Sequence, residues 1–125
     1  MRANTPEQVH AVLAEAFSKG DLDAFVELHE DGAVTIVPPD GQQASGCEQI
    51  RDALAPVFAL RPTVTNEVVS KLENHGLALT QARWRLLATS PDDERVEMRG
   101  EAAVVSRRAP DGSWRIVPEH PIGPV

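Results

Sequence analysis

The sequence predicts an α+β domain in which three N-terminal helices cover one face of an antiparallel sheet formed by the rest of the chain. Two patterns carry that expectation. Apolar residues recur at helical spacing as far as Phe58, and from Thr63 onward they alternate with polar ones. Length adds a third observation. The 125 residues suit one domain, 1–125, and a chain of this size buries roughly two-thirds of its unfolded surface, enough for one core.

The first helix opens at Thr5-Pro6-Glu7-Gln8, where Thr5 can cap, Pro6 suits the first turn and Gln8 can reach back. Val9, Val12, Leu13, Ala16 and Phe17 form one stripe, and Gly20 ends the helix. Asp21 caps a short second helix with Leu22, Phe25, Val26 and His29 on its inner side. Ala33–Val37 reads as a strand closed by Pro38-Pro39-Asp40-Gly41. A third helix starts at Ser45 or Gly46 with Ile50, Leu54, Val57 and Phe58 inward, and Pro56 predicts a kink or break within it.

Four strands follow, Thr63–Glu73, Leu77–Thr89, Val96–Arg107 and Trp114–His120. Asn74-His75-Gly76 and Pro110-Asp111-Gly112 are hairpin turns, and Ser90–Glu94 is an acidic loop. Alternation assigns Val64, Asn66, Val68 and Leu72 to one face of the first long strand. Ala78, Thr80, Ala82, Trp84 and Leu86 share that face in the next, and Val96, Met98, Gly100, Ala102 and Val104 in the third.

Twelve basic against nineteen acidic side chains give a charge of −7, which repels phosphate backbones and argues against nucleic acid as a partner. Cys47 is the only cysteine, so no internal disulfide forms. No apolar run approaches membrane-spanning length and Met1–Glu7 has no apolar signal core, so no membrane partner and a cytoplasmic location are expected. The four histidines lack metal-ligand spacing, and Asp92-Asp93-Glu94 reads as a solvated loop; neither metal nor cofactor is expected. No glycine-rich phosphate loop or nucleophile elbow is present.

The run Gly20-Asp21-Leu22-Asp23-Ala24-Phe25, then Asp31-Gly32-Ala33-Val34, Pro38 and Ser45-Gly46, resembles the ketosteroid isomerase and SnoaL-like branch of the nuclear transport factor 2-like superfamily. The ending Asp111-Gly112-Ser113-Trp114-Arg115-Ile116-Val117 resembles that group's last hairpin. The resemblance covers nearly the whole chain. It implies a cone-shaped, curved sheet around a pocket, and a homodimer.

It also implies what is missing. Steroid isomerases place a carboxylate base before the proline after the first strand, with a helix-1 tyrosine and a protonated aspartic acid as oxyanion hole. Here those positions fall at Val37, near Leu13, and in the apolar run Ala102–Val104, and the chain has no tyrosine. Steroid isomerisation is therefore not expected. Arg99-Gly100-Glu101 with Glu119 superficially offers the groups of the epoxide hydrolase branch, but alternation puts Arg99 and Glu101 opposite Met98 and Ala102.

Pockets in this superfamily collect polar groups near the last strand's end, where Glu119-His120 stands. Only one of the two can face the cavity. His120 shares parity with Trp114 and Ile116, and so is the candidate acid–base group, against the plainer reading of a solvated strand end. Candidate lining residues are Asn66, Trp84, Met98, Trp114, Leu13 and Val37. Core packing explains Trp84, and a backbone hydrogen bond explains Asn66, as readily as ligand contact does. His29 reads as a satisfied core histidine, His10 and His75 as exposed, and Cys47 as a small buried residue. Arg83 and Arg85, with Gln81 and Leu79, form a mixed stripe on the outer face and the expected dimer surface. The function expected is small-molecule binding, with chemistry on a modest apolar substrate left open; the competing reading is a non-catalytic dimeric assembly module.

Overall fold

The structure, a computed structural model, describes residues 2–37 and 42–120, leaving out the side chains of Val37, Glu119 and His120. Its elements run α1 (Pro6–Lys19), α2 (Leu22–Glu27), β1 (His29–Val37), β2 (Gln42–Ser45), α3 (Gly46–Ala59), β3 (Thr63–Asn74), β4 (Leu77–Thr89), β5 (Arg95–Arg108) and β6 (Trp114–His120). The six strands form one curved, unclosed sheet in the order β2-β1-β6-β5-β4-β3. All neighbours pair antiparallel except β1 and β6, which run parallel. A parallel neighbour requires a crossover, and α3 with the rest of the chain provides it.

Local chemistry sets the helix ends. The Gln8 amide donates to Thr5 Oγ1 at 3.2 Å, and Gln8 Oε1 accepts from the Asn4 amide at 2.8 Å. Gly20 turns left-handed at φ 68°, and the Asp21 amide bonds back to the Ala16 carbonyl at 2.9 Å. The Ala24 amide donates to Asp21 Oδ1 at 3.0 Å and starts α2. The three helices meet at the chain's three phenylalanines: Phe17 stacks on Phe58 at 4.7 Å, and Phe25 meets both edge-on. Between β3 and β4, His75 and Gly76 both have positive φ, the two-residue turn that suits sheet twist.

Several expectations need correction. α3 continues through Pro56, which stands on an exposed face rather than breaking the helix. Strand β2 is an addition that four polar and small residues did not announce. His29 is not on α2 but opens β1, because the helix stops at Glu27 and Leu28 caps it. Leu72 belongs to the outer face: a bulge between Val68 and Ser70 shifts the register, so Leu72 pairs with Leu79 and is 71% exposed. The same bulge turns Lys71 inward opposite Thr80, where it meets Glu7 of α1 at 3.3 Å.

Candidate functional site

The helices lie on the concave face of the sheet, α1 over β3 and β4 and α3 over β1. Along the inward residues of β5 burial changes steadily, whereas on β4 it is interrupted only at Trp84. At one end Ala78, Thr80, Val104 and Ser106 are sealed, with Ile116 beside them. Toward the other end Ala82 and Ala102 form a small-residue floor, and beyond it Asn66, Trp84, Met98 and Gly100 are only half-buried. Register makes them neighbours: Asn66 opposes Trp84, Trp84 opposes Gly100, and Leu86 opposes Met98. Three of the expected lining residues therefore gather at one place.

Polar groups there are anchored by α1. The Asn66 side-chain amide donates to the His10 carbonyl at 2.6 Å. The ring of His10, 1% exposed, sets Nε2 at 2.6 Å from Thr80 Oγ1, and that hydroxyl lies 3.4 Å from the Val104 carbonyl. One helix residue thus ties β3, β4 and the edge of β5 together. Sequence reasoning placed His10 on the exposed side; the overlooked signal is its spacing to Leu13 and Phe17, three and seven residues on, which continues the buried stripe. The bond to Asn66 is the backbone role that competed with ligand contact. His29 is the satisfied core histidine expected, with Nδ1 2.8 Å from the Phe25 carbonyl.

Other expected residues are elsewhere or outside the described set. Leu13 is buried on α1 in the core. Trp114 is buried at the far end, paired with Arg108, eight residues along β5 from Gly100 and so about 27 Å distant at strand rise. It packs by Ala3, whose carbonyl accepts from the Trp114 amide at 2.9 Å. The side chains of Val37 and His120 lie outside the described residues. The backbone bears on the choice between Glu119 and His120 all the same. Ser106 pairs with Ile116 but Val104 pairs with Glu119, so β6 has one residue more than simple alternation allows, and the parity that favoured His120 does not hold across the bulge.

Two grooves lie toward the open end of the sheet. One, of about 640 Å³, lies at the sheet's end between Leu60-Arg61 and the loop Ser90–Asp93. The other, about 600 Å³, is lined by the outer-face residues Thr65, Glu67, Arg83, Arg85, Arg99 and Glu101 together with Asn66, Trp84 and Gly100. Its arginines are already paired: Arg83 with Glu101 at 3.4 Å, and Arg85 and Arg99 with Glu97 at 3.0 and 2.7 Å. Those contacts hold the Glu97 carboxyl below the usual range, Arg99 first and Arg85 next. Arg99 and Glu101 are thus exposed and outside the concave site, as alternation required. Among the described residues no group of three or more His, Cys, Asp or Glu is placed to hold a metal ion, and no helix is long and apolar enough to cross a membrane. Cys47 is half-buried against the core.

The family model described as the SnoaL-like domain matches residues 9–117. Among solved structures, the chain is similar to a ketosteroid isomerase-like protein from Erwinia carotovora atroseptica, with a TM-score of 0.79, 17% identity and 94% of each chain covered. It is similar as well to a nuclear transport factor 2-like superfamily protein from Salmonella enterica serovar Typhimurium, with a TM-score of 0.79, 18% identity, and 94% of this chain and 87% of that one covered. An NTF-2 like protein of unknown function from Shewanella oneidensis gives a TM-score of 0.73 at 18% identity, covering 91% of this chain and 93% of that one. At such identities the likeness establishes the fold alone. No curated protein matches the chain in sequence.

Proposed function

The chain belongs to the SnoaL-like domain family, and from that premise we propose that it binds a small, largely apolar molecule in the hollow of the concave face beside Trp84 and Met98. The observation that carries this reading is the half-buried group Asn66, Trp84, Met98 and Gly100, brought together by strand register beside the buried Ala82 and Ala102. A ring and a thioether left partly uncovered above an alanine floor suit a hydrophobic ligand, and the Asn66 amide supplies one polar point. The His10–Thr80 pair fixes α1 over the sheet and so sets that side of the hollow. Steroid isomerisation is no part of this reading, because Leu13 and the run Ala102–Val104 supply neither hydroxyl nor carboxyl.

Calorimetric titration with 1-naphthol tests it. Saturable binding that weakens at least about tenfold in W84A, roughly 1.4 kcal/mol, is the expected result. No saturable heat up to the probe's solubility limit would overturn the reading. Acid–base chemistry at His120 no longer has strand parity behind it, since the bulge pairs His120 with Ala103 and Glu119 with Val104, so the assignment rests on H120A. H120A weakening 1-naphthol binding supports that assignment; unchanged affinity dismisses it.

A second reading is favoured by a different observation. Among the described residues, the large apolar ones that stand most exposed, Val69, Leu72, Leu77 and Leu79, lie at the β3–β4 hairpin, with Leu72 opposite Leu79 and Leu79 opposite Val105 on the outer face. A second copy of the chain presenting the same patch would cover it. The interface then centres on these residues rather than on Arg83 and Arg85, whose charges are paired within the chain. Light scattering should give a dimer, reduced to monomer by L72D; a monomeric wild-type chain sinks this reading and leaves the first untouched.

A further inference from the structure

Glycine weakens a strand interior, so one in the middle of β5 needs a reason. Each of the other described glycines, at positions 20, 32, 46, 76 and 112, has positive φ, where a side chain is strained; Gly100 does not. Its backbone would accept any residue. Its neighbour would not. A Cβ built at Gly100 lies 2.8 Å from Cζ2 of Trp84 and 2.9 Å from Cε2 and Nε1, closer than side-chain carbons approach. The indole edge therefore passes over Gly100, in space that only glycine leaves.

This contact gives Trp84 a direction. Its backbone opposes Asn66 of β3 on one side and Gly100 of β5 on the other. The ring leans toward β5, away from β3 and from α1, to which Asn66 is bonded. We propose that Gly100 is a specificity-determining residue of the concave hollow: by accepting the indole above its backbone, it sets the width left between Trp84 and α1. The ligand part rests on the small-molecule reading above; the ring's position rests on geometry alone. A methyl group at position 100 meets no flexible chain end that could move aside. It meets a rigid bicyclic ring, which must swing into the hollow unless the strands separate.

The test is a double-mutant comparison of G100A in the wild-type chain and in W84A. With Trp84 present, G100A should lower Tm by about 5 °C through overpacking. With Trp84 removed, the same substitution should leave Tm unchanged or raise it, since alanine suits a strand better than glycine. In G100A the indole N–H resonance of Trp84 should shift while that of Trp114, at the far end, stays, and affinity for 1-naphthol should fall at least tenfold. Equal Tm losses in both backgrounds with an unmoved Trp84 resonance would overturn the proposal. So would a displaced ring with undiminished 1-naphthol affinity, as regards specificity. A wild-type chain that takes up no 1-naphthol refutes small-molecule binding instead; the Tm comparison and the resonance then decide alone whether Gly100 seats the ring.

Discussion

The two ends of the concave face share strands β4 and β5, with β6 joining at one and β3 at the other, yet they differ in what their side chains are free to do. At the sealed end, Thr80, Val104, Ser106 and Ile116 are at 0% exposure, and α1, Leu28 and the segment around Ala3 close over them. At the open end, Asn66, Trp84, Met98 and Gly100 remain half-buried beside the buried Leu86 and Ala88. Close packing at one end holds the fold together; incomplete packing at the other is what the proposed ligand site rests on. The same fold can serve both because burial energy scales with covered apolar area, and a sheet need not be covered evenly to be stable.

The largest effect should separate the two ends by stability. I116A at the sealed end should destabilise the chain by about 3–4 kcal/mol, from lost transfer energy plus an unfilled cavity. M98A at the open end should cost under about 1.5 kcal/mol while weakening 1-naphthol binding. Denaturant unfolding of both variants checks this, and comparable losses would erase the distinction.

A smaller effect probes a defect within the sealed end. Ser106 Oγ is buried and has no hydrogen-bond partner among the described residues. Removing an unsatisfied hydroxyl relieves a desolvation penalty, so S106A should be neutral or stabilising by up to about 1 kcal/mol. A loss greater than that would show that the hydroxyl is bonded in solution.

The smallest effect lies on the convex side, away from both ends. Glu97 titrates below the usual carboxylate range because Arg99 and Arg85 hydrogen-bond to it. A carboxyl whose pKa falls on folding contributes stability above its unfolded value, near 4.3, and loses it as pH drops through the lowered folded value. Wild type and E97Q should therefore differ slightly in Tm at pH 7 and converge in acid. Being exposed, the contribution should also fade with salt. A Tm gap that widens on acidification contradicts the assignment.

Much of the fold was legible in the residue order. Thr5, Gly20, Asp21 and the turn Asn74-His75-Gly76 act through their own backbone geometry, and period-2 alternation correctly set Trp84, Met98 and Gly100 on one face. Such features depend on neighbours within a few residues, which a sequence displays. The SnoaL-like family could be read the same way, from motifs in their order. The candidate site was legible only in part. Bulges in β3 and β6 depend on the partner strand, so Leu72 changed face and the parity between Glu119 and His120 shifted unseen.

What the sequence alone determined is the inventory: the helices, the long strands, the facing of their side chains between bulges, and the absence of isomerase groups. Only the tertiary structure decided that His10 is buried against Thr80, that Trp114 stands far from Trp84, and that Gly100 lies beneath the edge of the Trp84 indole rather than in a turn. Those facts join residues distant in the chain, and their energies come from packing and desolvation, which a one-dimensional pattern does not contain.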